Sequence, residues 1–225
     1  MFLSSQISSM RYIVRLFLLL AFLTIQSQDP GRFVNEVDNI QKKYDTLWDS
    51  SKETIIFTGS SSIRTWYNLD KLFPNHQIVN TGFGGSQTTD LFAYTNELIL
   101  TFNPYQVFIY EGDNDIAVNK KPKKIVNTTL AIIKRIREKR RDTQIILIAA
   151  KPSIIRWSLK RKYKNLNRKF KRLCKKDNLL QFADVWKPML QGRKLKQDIF
   201  EDDGLHMNAK GYEIWYKVIK PFINQ

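Results

Sequence analysis

Short apolar runs along the chain alternate with segments in which apolar side chains recur every three or four positions. The runs predict buried strands, because nearly all of their residues are apolar and polar segments bound them. Five such strands are predicted: TIIFT at 54–58, QIVN at 77–80, QVFIYE at 106–111, QIILIAA at 144–150 and LLQFADV at 179–185.

The segments between the strands have helical periodicity. They predict helices at 32–48, 86–100, 127–140, 157–176 and 209–219. Apolar strands that alternate with amphipathic helices indicate a parallel sheet covered on both faces. The pattern therefore predicts one α/β domain with a mainly parallel five-stranded sheet, in which ligands bind beyond the carboxyl ends of the strands.

The first 27 residues do not follow this alternation. Arg11 and Arg15 precede the apolar run LFLLLAFLTI at 16–25, which is followed by the polar residues QSQ. A basic flank and a short apolar run are typical of a secretory signal, while a membrane anchor, the alternative, needs roughly 18–20 apolar residues. We expect a signal peptide at 1–27, which could also start at Met10, and an exported domain at 28–225, periplasmic or extracellular.

Composition narrows the class of protein. The 225 residues are 43% hydrophobic, which excludes a disordered chain. Cys174 is the single cysteine, so no internal disulfide can form.

The net charge of +16 is concentrated at 120–124, 134–141 and 160–176. These basic segments predict attraction to an anionic polymer or a membrane surface, or else solvated helix faces. No nucleic-acid-binding motif accompanies them.

Four polar or glycine-rich clusters lie near the predicted strand ends or before the last helix. They are GSSS at 59–62, TGFGGSQT at 81–88, GDND at 112–115 and DGLH at 203–206. Each cluster alone is more typical of an ordinary turn than of a catalytic site. Together they should converge on one edge of the sheet, where a ligand would bind.

The clusters contain the residue types of a serine hydrolase. A serine nucleophile needs a base, and the base needs an acid to orient it. Of the two histidines, His76 precedes the second strand and so lies at the opposite edge of the sheet. His206 follows Asp203 by three residues, which lets one turn bring the carboxylate against the imidazole.

The same clusters offer hydrogen-bond donors for a tetrahedral intermediate. Gly84 and Gly85 allow backbone N–H groups to face a small anion, and Asn114 supplies a neutral side-chain amide. An alternative interpretation makes Asp113 and Asp115 metal ligands. No further histidine or carboxylate cluster in that segment supports it, and a hard cation demands more ligands.

As a set, the four clusters resemble the sequence blocks of the SGNH hydrolases, also called the GDSL esterase/lipase family. The chain is most similar to secreted members with GSSSIR, GDNDIA, KPS-x-x-RW and DGLH-x-N signatures, which read here GSSSIRTW, GDNDIA, KPSIIRW and DGLHMNAKGY. The resemblance covers residues 55–219. It implies the SGNH hydrolase fold, a single-domain, flavodoxin-like three-layer α/β/α sandwich.

Carried over position by position, the resemblance implies that Ser61 is the nucleophile and that Asp203 and His206 complete the triad. It implies an oxyanion hole formed by the Ser61 N–H, Gly85 and the side chain of Asn114. The implied reaction is acyl transfer from an ester through an acyl-serine intermediate. That reaction requires no metal and no cofactor.

Two positions leave alternatives open. The family usually has aspartate before the nucleophile, where this chain has Ser60, so Ser60 and Ser62 remain alternative nucleophiles. Asp202 lies next to Asp203 and could in principle orient His206, although the three-residue spacing favours Asp203.

Three further residues follow motif positions and could line a substrate pocket: Trp66, Arg156 and Trp157. For the two tryptophans, packing in the core or at the rim is the alternative. We expect a short-acyl ester of a carbohydrate, or a lysophospholipid, as substrate. The competing hypothesis is an exported protein that binds polyanions or surfaces on the same fold without hydrolysis.

Overall fold

Five parallel strands form the central sheet of the computed structural model, which describes residues 29–223. Their order across the sheet is β2-β1-β3-β4-β5, and every neighbouring pair is parallel. The strands are β1 Thr54–Gly59, β2 Gln77–Gly82, β3 Gln106–Tyr110, β4 Gln144–Ile148 and β5 Leu180–Ala183. The predicted parallel five-stranded sheet is confirmed.

Helices cover both faces of the sheet. They are α1 Val34–Leu47, α2 Ser61–Arg64, α3 Thr88–Ala93, α4 Thr95–Leu98, α5 Asp113–Ala117, α6 Pro122–Lys139, α7 Lys160–Cys174 and α8 Ala209–Ile223. None of these described helices is long and apolar enough to cross a membrane. The predicted signal peptide at 1–27 lies outside the described residues.

Two hydrophobic cores lie on opposite faces of the sheet, because alternate residues of a strand point to opposite sides. In β1, Ile56 belongs to the core under α1, α3, α4, α6 and α7, whereas Ile55 and Phe57 belong to the core under α2 and α8. The molecule is therefore the predicted three-layer α/β/α sandwich. The strand ends are in register, with Gly59 opposite Gly82, so the loops that follow them share one edge.

Several element boundaries differ from the predicted ones. The helix predicted at 86–100 is broken into α3, α4 and a 3-10 turn at Leu100–Phe102. Helix α6 begins at Pro122, five residues before the prediction, because proline suits the first turn of a helix. A small hairpin was not predicted; it pairs β6 (Leu190–Gln191) with β7 (Lys194–Leu195). The short helices α2 and α5 were also missed, and both begin in the polar clusters at the strand ends.

Candidate active site

Ser61 is the first residue of α2, directly after a sharp turn at the end of β1. Gly59 has φ of 120°, and a Cβ there would lie 2.0 Å from the Tyr110 carbonyl oxygen, so only glycine fits. Ser60 is extended, with φ −76° and ψ −173°, and α2 starts at the next residue. The turn therefore presents Ser61 at the carboxyl edge of the sheet.

Ser61, His206 and Asp203 form a continuous chain of hydrogen bonds. His206 Nε2 lies 3.0 Å from Ser61 Oγ, and His206 Nδ1 lies 2.5 Å from Asp203 Oδ2. Asp203 Oδ1 also accepts hydrogen bonds from the backbone N–H groups of Leu205 and His206, both at 2.8 Å. Loss of solvent alone raises the pKa of Asp203, but the His206 ring and these two N–H groups outweigh it and lower the pKa to about 2.

The alternatives that the sequence left open occupy other positions. Ser60 is buried and accepts a hydrogen bond from Asn114, and Ser62 is also buried. Asp202 is exposed, while both ring nitrogens of His206 already face Ser61 and Asp203. The geometry thus favours the serine and the aspartate carried over from the family.

Asn114 lies in the first turn of α5, and its side-chain amide is held on three sides. Nδ2 donates to Ser60 Oγ at 2.7 Å and to the Ser86 carbonyl oxygen at 2.9 Å, and Oδ1 accepts from Arg156 at 3.1 Å. Because a guanidinium can only donate and a backbone carbonyl can only accept, these partners fix which way the amide points. Both amide hydrogens are therefore already bonded to protein acceptors, Ser60 Oγ and Ser86 O.

The glycine-rich loop after β2 contributes one of its two candidate N–H groups. The Gly84 N–H donates to Glu36 Oε1 at 2.9 Å, so it is already used. Gly85 has φ of 74°, and no atom would meet a Cβ there within 4 Å, so its left-handed backbone is what favours glycine. Within residues 29–223, no protein acceptor meets the N–H of Gly85 or of Ser61.

Trp66 is a core residue, which favours the packing alternative over a place in a substrate pocket. Its side chain is 1% exposed and packs against the rings of Phe57, Tyr212 and Trp215. The proximity of Trp66 to Ser61 in sequence is misleading, because the chain after α2 turns inward over the face of the sheet that α8 covers. The packing alternative describes this residue correctly.

Arg156 and Trp157 support neighbouring side chains. The Arg156 side chain is 18% exposed. Its guanidinium lies 2.6 Å from Asp113 Oδ1 and also donates to Asn114 Oδ1, so these donors face protein groups. Trp157 is half-buried and stacks on Trp186, with ring centroids 6.2 Å apart. Both arrangements favour a supporting role, and the place of Arg156 and Trp157 in a substrate pocket stays a prediction.

Asp113 and Asp115 face different partners, which removes support from the metal interpretation. Asp113 is buried and accepts hydrogen bonds from the hydroxyl groups of Tyr110 and Tyr163. Asp115 accepts from the Thr88 N–H and hydroxyl group and pairs with a lysine. The described residues contain no group of three or more histidine, cysteine or acidic side chains arranged to hold a metal ion.

Comparison with known proteins identifies related chains. The family model described as "GDSL-like Lipase/Acylhydrolase family" matches residues 48–214. A proposed platelet activating factor from Streptococcus pneumonia has 25% identity and a TM-score of 0.74, covering 85% of this chain and 94% of that one. A GDSL-like lipase from Bacteroides thetaiotaomicron has 20% identity and a TM-score of 0.70, with coverages of 87% and 97%.

A third solved structure is more distant in sequence. It is a carbohydrate esterase family 3 protein from Talaromyces cellulolyticus, with 16% identity, a TM-score of 0.62 and coverages of 77% and 97%. No curated protein gives a significant match to the chain. The family match covers the four strand-end clusters, and the solved structures share the fold of the chain.

Proposed function

Because the chain belongs to the GDSL-like lipase/acylhydrolase family and is a serine hydrolase acting on ester bonds, as its motifs predict, we propose that Ser61 is the nucleophile. The observation that carries this proposal is the 3.0 Å distance from Ser61 Oγ to His206 Nε2, with Asp203 on the other ring nitrogen. Such an arrangement lets the imidazole take the serine proton while the carboxylate fixes its tautomer.

The proposed reaction has two acyl-transfer steps. His206 removes the Ser61 proton as Oγ attacks the ester carbonyl, and the tetrahedral intermediate collapses to acyl-Ser61 while His206 protonates the departing alcohol. His206 then takes a proton from water as the water oxygen attacks the acyl carbon. The bond between that carbon and Ser61 Oγ breaks, the acid leaves, and His206 returns the proton to Oγ. Asp203 stabilises the imidazolium in both steps, and free Ser61 is regenerated.

We propose that the Ser61 N–H, the Gly85 N–H and Asn114 Nδ2 hold the oxyanion. The first two are supported by their lack of a protein acceptor within residues 29–223. Asn114 must exchange one bond, because its amide hydrogens face Ser60 Oγ and Ser86 O. An oxyanion is a stronger acceptor than a neutral hydroxyl group, so it can compete with Ser60 for that hydrogen.

We propose a short-acyl ester as substrate, on a carbohydrate or a lysophospholipid. Ile154 and Ile155 are 40% and 59% exposed and lie against Gly204, in the loop that carries Asp203 and His206. This apolar surface is small, which suits an acetyl or similar group better than a long chain, since hydrophobic binding grows with the area buried. The name of the Talaromyces esterase makes carbohydrate esters one class to test.

The direct test uses p-nitrophenyl acetate, butyrate and octanoate with the mature chain and Ser61→Ala. We expect turnover of the short esters and its loss in the variant. Turnover that rises with chain length would replace the short-acyl proposal with a lipid substrate. Equal rates for the two proteins would overturn Ser61 as the nucleophile.

We infer that the protein is exported, because a basic flank and a short apolar run make up residues 11–25. A fusion of residues 1–35 to a reporter that is active only outside the cytoplasm tests this. Activity is expected with the native segment. Its persistence after Leu18 and Leu20 are changed to Arg would overturn the proposal.

A second binding function is favoured by a basic cavity, which we call the α7 groove. It has a volume of about 540 Å³ and lies between α7 and the segment after β5. It is lined by five cations, Arg161, Lys164, Arg168, Lys171 and Lys187, by one carboxylate, Asp184, and by Asn167, Phe182 and Trp186. Within the described part of the chain, none of these five cations pairs with a carboxylate.

We propose that the α7 groove binds an anionic polymer, because like charges along one helix face repel unless an anion lies between them. The test compares polygalacturonate binding by the triple variant Arg161→Gln, Arg168→Gln, Lys171→Gln with the control Lys123→Gln, Lys124→Gln, Lys139→Gln. Both lose three charges, and the control sites are exposed lysines of α6. Only the groove variant should lose affinity and salt dependence.

Equal losses in the two variants would overturn the groove as a specific site and leave only a general attraction to positive charge. Binding to phosphatidylglycerol vesicles, measured in parallel, distinguishes a polymer from a membrane surface. Tighter binding to vesicles than to polygalacturonate would replace the polymer with a lipid surface as the partner.

A further inference from the structure

We call residues 151–157, which lie after β4, the β4 strap. The strap contacts both the loop that carries Asp203 and His206 and the side chain of Asn114. Its first residue, Lys151, is buried along its whole side chain, and Nζ donates to the Leu205 carbonyl oxygen at 2.6 Å. Leu205 lies between Asp203 and His206 in the sequence. A buried lysine therefore holds the loop that carries the base and its aspartate.

The backbone of the β4 strap holds the same loop at a second carbonyl group. The Ile154 N–H donates to the Gly204 carbonyl oxygen at 2.8 Å, and the Ile155 N–H approaches the same oxygen at 3.3 Å. Gly204 has φ of 62°, a conformation that L side chains rarely adopt. Two consecutive carbonyl groups of the His206 loop thus bond to the strap.

The other end of the β4 strap holds the oxyanion half of the site. Arg156 Nη2 donates to Asn114 Oδ1 at 3.1 Å, while Nη1 donates to Asp113 Oδ1 at 2.6 Å. A planar guanidinium presents its donors in a fixed fork, so one residue sets the direction of both acceptors. The bond to Oδ1 points Asn114 Nδ2 toward Ser60 and away from the strap.

Asp113 is the anion that the two strap cations share. Its carboxylate is buried, with Arg156 on Oδ1 and Lys151 Nζ at 3.9 Å from Oδ2. Burial raises the pKa of Asp113, but the charges of Lys151 and Arg156 outweigh this and lower it, so the carboxylate stays ionised. Displacement of Asp113, Lys151 or Arg156 therefore changes the electrostatic interactions of the other two side chains.

We propose that Arg156 and Lys151 are positioning residues, joined through Asp113, which hold the Asn114 amide and the His206 loop in register with each other. The proposal rests on the proposed function of Ser61, His206 and Asn114. Neither strap cation needs to touch the substrate, because their donors already face protein acceptors. A displacement of about 1 Å in such a site can lower the rate roughly 10²-fold.

The decisive experiment is a double-mutant cycle between Arg156→Lys and Asn114→Ala, with kcat and KM measured on p-nitrophenyl acetate. Lysine keeps the charge near Asp113 but loses the fork that reaches Asn114. We expect Arg156→Lys to lower kcat about 10- to 100-fold with KM changed less than about 3-fold. In the Asn114→Ala background the same change should have almost no further effect.

A matched control separates positioning from loss of stability. Arg137 makes a bidentate contact with the Asp177 carboxylate, outside the candidate site. Arg137→Lys removes a comparable fork, and kcat should stay within about 2-fold of wild type. Thermal melting of both Arg→Lys variants shows whether a loss of kcat follows unfolding.

Lys151→Met is the second variant of the test. Lys151→Met removes its bond to the loop of Asp203 and His206, so we expect a lower kcat and a displaced acid limb in the pH profile of kcat/KM. A profile that keeps its shape while kcat falls in proportion to the folded fraction would overturn the role of Lys151.

The outcomes distinguish this proposal from the one it rests on. Wild-type turnover in Ser61→Ala would overturn the proposed nucleophile. If Ser61→Ala is inactive but the effects of Arg156→Lys and Asn114→Ala multiply, Ser61 remains the nucleophile and the positioning proposal fails. Equal kcat losses in Arg156→Lys and Arg137→Lys would overturn it as well.

Discussion

Asp203 and Asp113 are both ionised carboxylates of the candidate site, but they are held in opposite ways. The Asp203 side chain is 47% exposed and is bonded by the His206 ring and by two N–H groups within three residues of it. The Asp113 side chain is 6% exposed and is held by Arg156 and Lys151, about 40 residues away in the sequence. One aspartate depends on a local turn and the other on the tertiary fold.

This difference separates chemistry from support. Local hydrogen bonds keep Asp203 in place at an exposed edge, where the imidazole must reach Ser61 and a substrate. Buried ion pairs require compensation of every charge, because an uncompensated charge in the interior is costly. Substitution of Asp203 should therefore lower turnover, and substitution of Asp113 should lower stability.

The largest effect is expected from Asp203→Asn. The amide cannot hold the His206 tautomer that accepts the serine proton, so kcat should fall about 10⁴-fold, while the melting temperature changes little. Steady-state kinetics and thermal melting measure both. The control Asp202→Asn alters the neighbouring carboxylate and should leave kcat unchanged. A loss of kcat in Asp202→Asn but not in Asp203→Asn would reverse the assignment of the two aspartates.

Asp113→Asn should have the larger effect on stability. It leaves Lys151 and Arg156 facing no carboxylate in the interior, and breaking a buried pair in this way costs about 3–5 kcal/mol of unfolding free energy. Urea unfolding measures the loss. Asp177→Asn removes the partner of Arg137 nearer the surface and should cost less than about 1 kcal/mol. Equal costs would contradict the contrast between the two sites.

Asn114→Ala tests the group that connects the two halves. Loss of one oxyanion donor should lower kcat about 10²–10³-fold, with KM for p-nitrophenyl acetate nearly unchanged. Asn114→Asp has the same shape but carries a negative charge toward the developing oxyanion, so its kcat should be lower still. An aspartate variant faster than the alanine variant would argue against Asn114 as a donor.

The comparison also explains which parts of the site the sequence could predict. The contact of Asp203 with His206 spans three residues, and the rule that ligands bind at strand ends brings Ser61 to the same edge. The five strands were predicted with boundaries within about two residues, because buried parallel strands are nearly all apolar. Pattern and local spacing indicated where this half lies, and the family resemblance selected Ser61 among the three serines.

The sequence did not indicate the buried contacts that support the site. Lys151 and Arg156 lie in the KPSIIRW motif, but nothing in its spacing indicates a partner near residue 113. Tyr163 lies in the helix predicted at 157–176, and helical periodicity does not indicate that its hydroxyl group donates to Asp113. The position of Trp66 after the nucleophile suggested a pocket, since sequence proximity does not show that the chain turns inward. Such contacts depend on how distant elements pack.

The smallest expected effect concerns the stability of the fold in acid. The pKa of Asp203 is lowered from 3.8 to about 2, so the carboxylate contributes stability above pH 3.8 that is lost as the pH falls toward 2. Because nearly half of the side chain is exposed, solvent screening should keep this contribution below about 1 kcal/mol. The pKa of Asp113 is also lowered, so its contribution to stability has the same sign, and burial makes this contribution less screened.

Urea unfolding at pH 5 and pH 2 measures the difference in unfolding free energy between wild type and each variant. From pH 5 to pH 2, that difference should shrink more for Asp113→Asn than for Asp203→Asn. The reverse order would mean that the exposed turn, and not the buried ion pairs, determines stability in acid.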